Sequence, residues 1–256
     1  MSVCAKLARK FHTRYIIRFI RIIKTIWKMR WLFRSLPKTI YFNFHYLPFY
    51  QAIKLPILLY KPHFITTKGS IVIYGKVRFG LIQLGKFSSN VHPNNGIHYE
   101  NKGGQIVFRG KCNIGNSTFL SVGPKGLLDF GSGFTNASGL RIVCFKSIKF
   151  GINNRIGWGV TFMDTNFHPL IQQADNRIKR ASGSIEIGDY NWLGMECLVM
   201  HSVKTPDRCV FGARTIICRN TDMESYCVTV PSSKGIIVTK GVYRDIEGPY
   251  DMDKDI

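Results

Sequence analysis

Between Ile187 and Ile217 an apolar anchor recurs at every sixth residue: Ile187, Leu193, Val199, Phe211 and Ile217, with Thr205 as the one lapse. Glycine follows three anchors, at Gly188, Gly194 and Gly212, and the position four after each anchor holds Asn191, Cys197, Val203, Cys209 or Thr215. These are mostly small or β-branched side chains that suit a narrow interior. A helix buries a period near 3.6 and a half-buried strand a period of two, so neither element alone can hide this pattern. A period of six is the signature of a hexapeptide solenoid, a parallel β-helix whose short strands form flat faces and whose turns form corners.

The same phase runs upstream through Phe150, Ile156 and Phe162, with Gly151 and Gly157 after the first two. It then breaks, because the step from Phe162 to Ile187 is not a multiple of six. The chain from about Asp164 to Ser184 must therefore leave the coil. Its sequence, Asp164-Thr165-Asn166-Phe167-His168-Pro169 followed by polar and basic residues, predicts an excursion loop. Loops held by a rigid scaffold are where binding and catalytic groups concentrate.

These hexads, the FMDTNFHPL segment and the stretch IGDYNWLGMECLVMHSVKTPDRCVFGARTIIC resemble the hexapeptide-repeat acyltransferases with a left-handed parallel β-helix, the superfamily of galactoside and maltose acetyltransferases. Within it the resemblance is to enzymes that acetylate bacterial surface glycans. It spans roughly Gly69 to Pro231 and is strongest after Phe150. The resemblance implies an acetyl-CoA-dependent O-acetyltransferase modifying a sugar hydroxyl of a surface polysaccharide or lipid-linked glycan precursor. It also implies a homotrimer, with the acyl donor in the groove between neighbouring subunits and a loop histidine, here His168, as general base. An N-acyltransferase acting on an amino sugar would use the same scaffold and base, and a non-catalytic, membrane-attached β-helix scaffold is the other alternative.

The chemistry suits those residue types. A neutral imidazole titrates near working pH and can take the hydroxyl proton as the oxygen attacks a thioester. Pro169 biases His168 toward an extended conformation, which helps fix the ring's direction. Asp164 either orients the imidazole through its other ring nitrogen or closes a turn. The oxyanion would be stabilised by main-chain N–H groups near Gly157 to Gly159 or by the amide of Asn166. Trp192 stands where the family often carries Trp, and it either packs on a neighbouring subunit or bounds the acceptor site.

For the donor, the resemblance places the pantetheine arm along the backbone at Gly194, Gly212 and Ala213. The segment Gly212-Ala213-Arg214-Thr215-Ile216-Ile217-Cys218-Arg219 resembles the family's GAGSVVTK and puts Arg219 at its basic end, suited to a CoA phosphate. Arg214 and Lys234 are further candidates, and each of these cations also has a plain reading as a solvated corner residue. The sequence departs from the family at Thr229-Val230-Pro231-Ser232-Ser233-Lys234, which lacks the glycine of AGVPAK. It departs again at Met195 and His201, where small residues or proline are usual.

Charge is unevenly spread. The formal net charge is +21, yet no Asp or Glu precedes Glu100, and 17 of the 36 Lys and Arg lie before that point. Residues 10–29, set on a helix, gather Lys10, Arg14, Arg18, Arg21, Lys24 and Lys28 on one arc and Phe11, Tyr15, Ile16, Phe19, Ile20, Ile22, Ile23, Ile26 and Trp27 opposite, with Ile17 as the exception. That pattern predicts a basic amphipathic helix lying on an anionic membrane surface, and a cation at every third or fourth position rules out a spanning helix. The enzyme is expected in the cytoplasm, peripheral on the inner face of the membrane. Two alternatives are a cap on the solenoid's end and a nucleic-acid contact, the latter without any recognition motif to support it. The segment Pro37 to Pro62, rich in Tyr and Phe, reads as irregular apolar packing or further interfacial anchoring.

The expected organisation is thus an N-terminal extension over 1–68, an all-β solenoid over 69–222 with an excursion loop at 164–184, and a short C-terminal tail over 223–256. The seven cysteines lack CxxC spacing, and Cys197, Cys209 and Cys227 fall on inward phases, so core filling by reduced thiols is expected. No metal is expected, because a zinc site of three histidines finds only His168 and His201 after His98.

Overall fold

The computed structural model describes residues 34–88, 90–167, 170–171, 178–179, 181–218, 223–231 and 236–240. The chain winds as a left-handed parallel β-helix with three faces. The first face has nine strands, beginning with Ile57–Leu59 and ending with Cys227–Val230 and an antiparallel strand, Ile236–Lys240. The second has seven, from Pro62–Thr67 to Ile216–Ile217, and the third has six, from Ser70–Ile73 to Val203–Thr205. Within each face the remaining neighbours are parallel, each one coil further along the chain.

The hexad residues point inward as their spacing requires. Ile187, Leu193, Val199, Phe211 and Ile217 are buried, and so are Asn191, Cys197, Val203, Cys209 and Thr215 four positions on. Thr205, the lapse in the apolar series, is buried too: its hydroxyl accepts from the Asn191 amide at 3.0 Å and from Gly188 N at 3.2 Å. Asn191 also accepts from Cys209 N at 2.6 Å, donates to Pro206 O at 2.8 Å, and has its own N–H held by Asn154 Oδ1 at 2.9 Å. One corner of the prism is therefore a ladder of buried amides that satisfies groups the strands leave open.

Coil length changes along the axis. Leu193 lies beside Phe211, a true 18-residue turn, whereas Ile57 lies beside Ile82 and Ile82 beside Cys112. The longer N-terminal coils fill their interior with aromatic rings. Phe108, Phe130 and Phe150 stack at 5.3 and 5.4 Å, and Phe134 packs edge-on against the last two. Such offset and edge contacts stabilise a core beyond the area they bury.

The N-terminal end of the prism is closed by helix α1, residues 34–46, followed by α2, Phe49–Ala52. Ser35, Thr39 and Asn43 recur on one side of α1, and all three are buried. Their side-chain oxygens accept from Lys61 N at 2.9 Å, Leu59 N at 3.3 Å and Ile57 N at 3.1 Å. The exposed backbone of the first strand is thereby covered, and no edge is left open at this end of the first face. Phe42, beside them, packs on Phe64 and Tyr99.

The solenoid thus begins at Ile57, inside the stretch assigned to the extension 1–68, and its last parallel strand, Cys227–Val230, falls beyond the boundary at 222. The prolines at 56 and 62 and the irregular early coils hide the repeat from a six-residue reading. The helix expected over residues 10–29 lies outside the described residues, and among the described residues no helix is long and apolar enough to cross a membrane.

Removing the Asn191 amide orphans a buried N–H and a buried carbonyl. Asn191→Ala is expected to cost about 2–4 kcal/mol in urea unfolding. On the second face, His63 and His98 stack at 4.6 Å and His98 stacks on Phe119 at 4.5 Å. Burial, with a smaller contribution from His63, lowers the His98 pKa. The unfolded chain therefore takes up this proton more readily, and stability is lost as pH falls through the ordinary histidine range. His98→Phe, which extends the stack, is expected to flatten the fall in unfolding midpoint between about pH 7 and 5.

Candidate functional site

Chemistry-bearing side chains gather at the two corners that flank the second face. At the corner joining the first face to the second, Gly157, Gly194 and Gly212 lie one above another, each N–H donating to the next coil at 2.7–2.8 Å. A Cβ on Gly157 would fall 2.7 Å from the Gly194 carbonyl carbon, and one on Gly194 would fall 2.7 Å from Ala213 N. Close stacking of the backbone thus requires these glycines in its own right. The residues that follow them, Trp158, Met195 and Ala213, form an exposed column along the corner. Arg214, with its backbone in the left-handed region, pairs through Nε with Glu196 Oε2 at 2.7 Å. Cys197 lies just beneath this column; its thiol faces Gly212 O at 3.1 Å, and burial raises its pKa to about 11, so it stays a neutral packing group.

A groove of about 540 Å³ runs along the first face beside this corner. Asn113, Thr135, Arg155 and Trp192 are among its lining residues, Trp158 bounds it at the corner, and Lys86 and Ser88 close the far side. Lys86 and Ser88 open a second loop, which folds back over the corner. Ser88 Oγ donates to Ala137 O at 2.9 Å, the Asn116 amide donates to Pro93 O at 3.0 Å, and His92 Nδ1 lies 2.9 Å from Ser138 Oγ. Trp158 and Trp192 present exposed indoles. Asn113 and Asn136, both lining the groove, each keep a buried amide oxygen with no partner among the described residues. Exposed aromatic faces beside the polar side chains of Asn113, Thr135 and Arg155 suit a ligand that offers hydroxyls and apolar C–H surface.

The opposite corner carries the excursion. The chain leaves the coil after Thr161–Met163 and rejoins it at Ile185–Ile187, and in between Leu170–Ile171 pairs antiparallel with Ile178–Lys179. The base of this hairpin is zipped by Asn166 N to Ala181 O at 2.7 Å and by Gly183 N to Asp164 O at 3.0 Å. Asp164 is fully buried: Oδ1 accepts from Phe145 N and Oδ2 from Lys146 N and Ser147 N, all at 2.7–2.8 Å. Of the two roles the sequence left open for Asp164, this geometry is that of closing a turn, here the turn of the preceding coil. The Asn166 amide lies 3.0 Å from His201 Nε2, and His201 Nδ1 lies 3.2 Å from Ser202 Oγ. With the amide as donor, the neutral ring keeps its proton on Nδ1, toward Ser202.

Of the residues singled out in the sequence, Trp192, Gly194, Gly212, Ala213 and Arg214 lie on the first corner or its adjoining face, and Asp164 and Asn166 lie at the opposite one. His168, Arg219 and Lys234 lie outside the described residues. Sequence reasoning missed Trp158, whose signal was its place directly after Gly157, matching Met195 after Gly194. It also missed the loop at 87–96, which breaks no hexad because the early coils carry none, and the contact between His201 and Asn166. Among the described residues no cluster of His, Cys, Asp and Glu is suited to hold a metal.

This fold is shared with a solved structure, the polySia specific acetyltransferase NeuO, at a TM-score of 0.50 and 12% identity over 76% of each chain. A second, the polysialic acid O-acetyltransferase OatWY, matches at a TM-score of 0.39 and 16% identity, covering 76% of this chain and 93% of its own. No protein-family model and no curated protein sequence matches the chain.

Asp164→Ala is expected to free the hairpin base, since three backbone N–H groups lose their acceptor. The expected cost is about 3 kcal/mol or more, together with faster limited proteolysis between residues 164 and 184.

Proposed function

We propose that this chain is an O-acetyltransferase that moves an acetyl group from acetyl-CoA to a sugar hydroxyl of a surface polysaccharide or lipid-linked glycan precursor. The observation that carries the reading is the groove, where the exposed indoles of Trp158 and Trp192 stand beside the polar side chains of Asn113, Thr135 and Arg155. Pyranose rings present C–H faces to aromatic rings and hydroxyls to polar side chains, so an acceptor glycan matches both features. The solved structure that shares the fold, NeuO, is named as a polySia specific acetyltransferase.

The donor fits the same corner. Met195 and Ala213 are exposed there, and Arg214, Arg219 and Lys234 are the candidate cations for its phosphates. Acetyl-CoA supplies an activated carbonyl. The protein must remove the hydroxyl proton as the sugar oxygen attacks, and His168 is the residue assigned to that step. Asn166, at the base of the same hairpin, is placed to support the loop or the developing oxyanion.

One chain does not bring both corners together. Six residues separate Met195 from His201 across the second face, so at about 3.3 Å per extended residue the two corners stand roughly 15–20 Å apart. The outer surface of that face carries Phe119, Val143, Met163, Leu198, Met200 and Ile216, with Arg141 and Thr161 between Phe119 and Leu198 and with Phe119 and Ile216 strongly exposed. A cyclic trimer closed through this apolar face would bring the first corner of one copy to the hairpin corner of its neighbour. The membrane surface, through residues 10–29, and a position on the cytoplasmic side belong to the same proposal.

The test is acetyl-CoA turnover with oligosaccharide acceptors. His168→Ala is expected to lower kcat by about 10²–10⁴-fold, and Trp192→Ala to raise KM for the acceptor with a smaller effect on kcat. Faster transfer to amino sugars than to hydroxyl acceptors would replace O-acylation by N-acylation, and equal rates for wild type and His168→Ala would remove His168 from the chemistry.

A further inference from the structure

Helix α1 has two faces, and only one is used to close the coil. Opposite Ser35, Thr39, Phe42 and Asn43, at 100° per residue, stand Ile40, Tyr41 and Phe44. All three are exposed, and α2 with the turn after it adds Phe49 at 70%, Tyr50 at 66% and Ile53 at 60% exposure. Phe44 and Phe49 touch, with ring centroids 5.9 Å apart, so the two helices present one continuous apolar surface. A patch of this kind marks an interaction site.

The charge around it selects the partner. Arg34 and Lys54 lie on or beside the same two helices, whereas Lys38 turns its ammonium back to Pro62 O at 3.0 Å, and the preceding 33 residues add nine Lys and Arg without one Asp or Glu. An apolar aromatic surface framed by cations alone complements a bilayer interface whose head groups are anionic. The cap role also bears on the choice. The sequence left open whether the helix over residues 10–29, which lies outside the described residues, caps the solenoid or meets a membrane; among the described residues α1 is the segment that caps, through Ser35, Thr39 and Asn43.

We propose that the lid formed by α1 and α2 is itself a docking surface for an anionic lipid bilayer. Phe44, Phe49, Tyr50 and Ile53 enter the boundary between head groups and acyl chains, and the flanking Lys and Arg face lipid phosphates. The choice of partner rests on the membrane reading above, while the contact surface and its consequence are new. Because α1 lies across the end of the prism, docking points the coil axis away from the membrane. Lys86, at the groove's near end, is one strand from Ile57–Leu59, and Trp192, at its far end, is five strands along the first face, so at about 4.8 Å per strand the far end stands ~24 Å from the lid. At that height the enzyme addresses the glycan of a lipid-linked acceptor rather than the lipid.

The experiment is flotation of the full-length chain with vesicles of phosphatidylcholine alone or mixed with phosphatidylglycerol. Wild type is expected to float with the mixed vesicles, and the surface variant Phe44→Ser/Phe49→Ser/Tyr50→Ser to lose about tenfold or more in vesicle affinity, with acetyl transfer to a soluble acceptor unchanged. A second variant, Phe49→Trp, is expected to show fluorescence quenched by brominated acyl chains. Unchanged flotation of the triple variant, no quenching of Phe49→Trp, or no flotation of wild type would each overturn the proposal. So would a self-associated species that the triple variant abolishes, since the lid would then meet a second copy. Loss of the catalytic reading would be seen separately, as normal turnover by His168→Ala with the vesicle result intact.

Discussion

Backbone stacking between successive coils is the interaction on which this structure depends. Each strand bonds to the strand one coil earlier and one coil later, so the interior is continuous while every residue contacts only nearby coils. Two demands follow. The corners must let main chains approach closely, which Gly157 and Gly194 allow and which Asn153, Tyr190 and Arg208 meet by adopting left-handed conformations. The terminal coil must also be closed, which α1 achieves with three polar side chains spaced four residues apart.

The same stacking sets out the candidate site. Outward residues on one face fall into straight columns at fixed spacing, so Asn113, Thr135, Arg155 and Trp192 line a groove although they are far apart in sequence. Loops that leave the coil are added at its corners. One, opened by Lys86 and Ser88, walls the groove; the other is the hairpin after Met163. The interior is apolar apart from its hydrogen-bonded corner amides, with Cys112, Cys144, Cys197 and Cys209 as buried thiols whose pKa values burial raises.

How much of this was legible in the sequence follows from the coil lengths. From Phe150 onward the turns have the 18-residue form or interrupt it once, so the period of six, the inward phase of Cys197 and Cys209 and the excursion near Asp164 could be read directly. Before Phe150 the coils are longer and unequal, and their interior is built from Phe108, Phe130 and Phe134 in place of an aliphatic hexad, so no fixed period exists to find. The cap could not be read from hydropathy either, because Ser35, Thr39 and Asn43 are polar residues buried for their hydrogen bonds. In the candidate site, Trp192 was visible by its place beside an anchor. The partnership of Asn166 with His201 was not, because it joins neighbouring coils across 35 residues.

The hairpin's attachment has a consequence for diversification. The Asp164 carboxylate fastens the hairpin to the prism and the antiparallel contact of Thr165 with Ser182 joins its two stems, while Ile185 resumes the strand pairing with Ile148 as though nothing had intervened. What lies between the stems can be lengthened, shortened or exchanged without disturbing a single rung of the coil. Such a socket lets one frame carry different tips, so a new surface can arise by swapping a short insert while the architecture beneath stays constant.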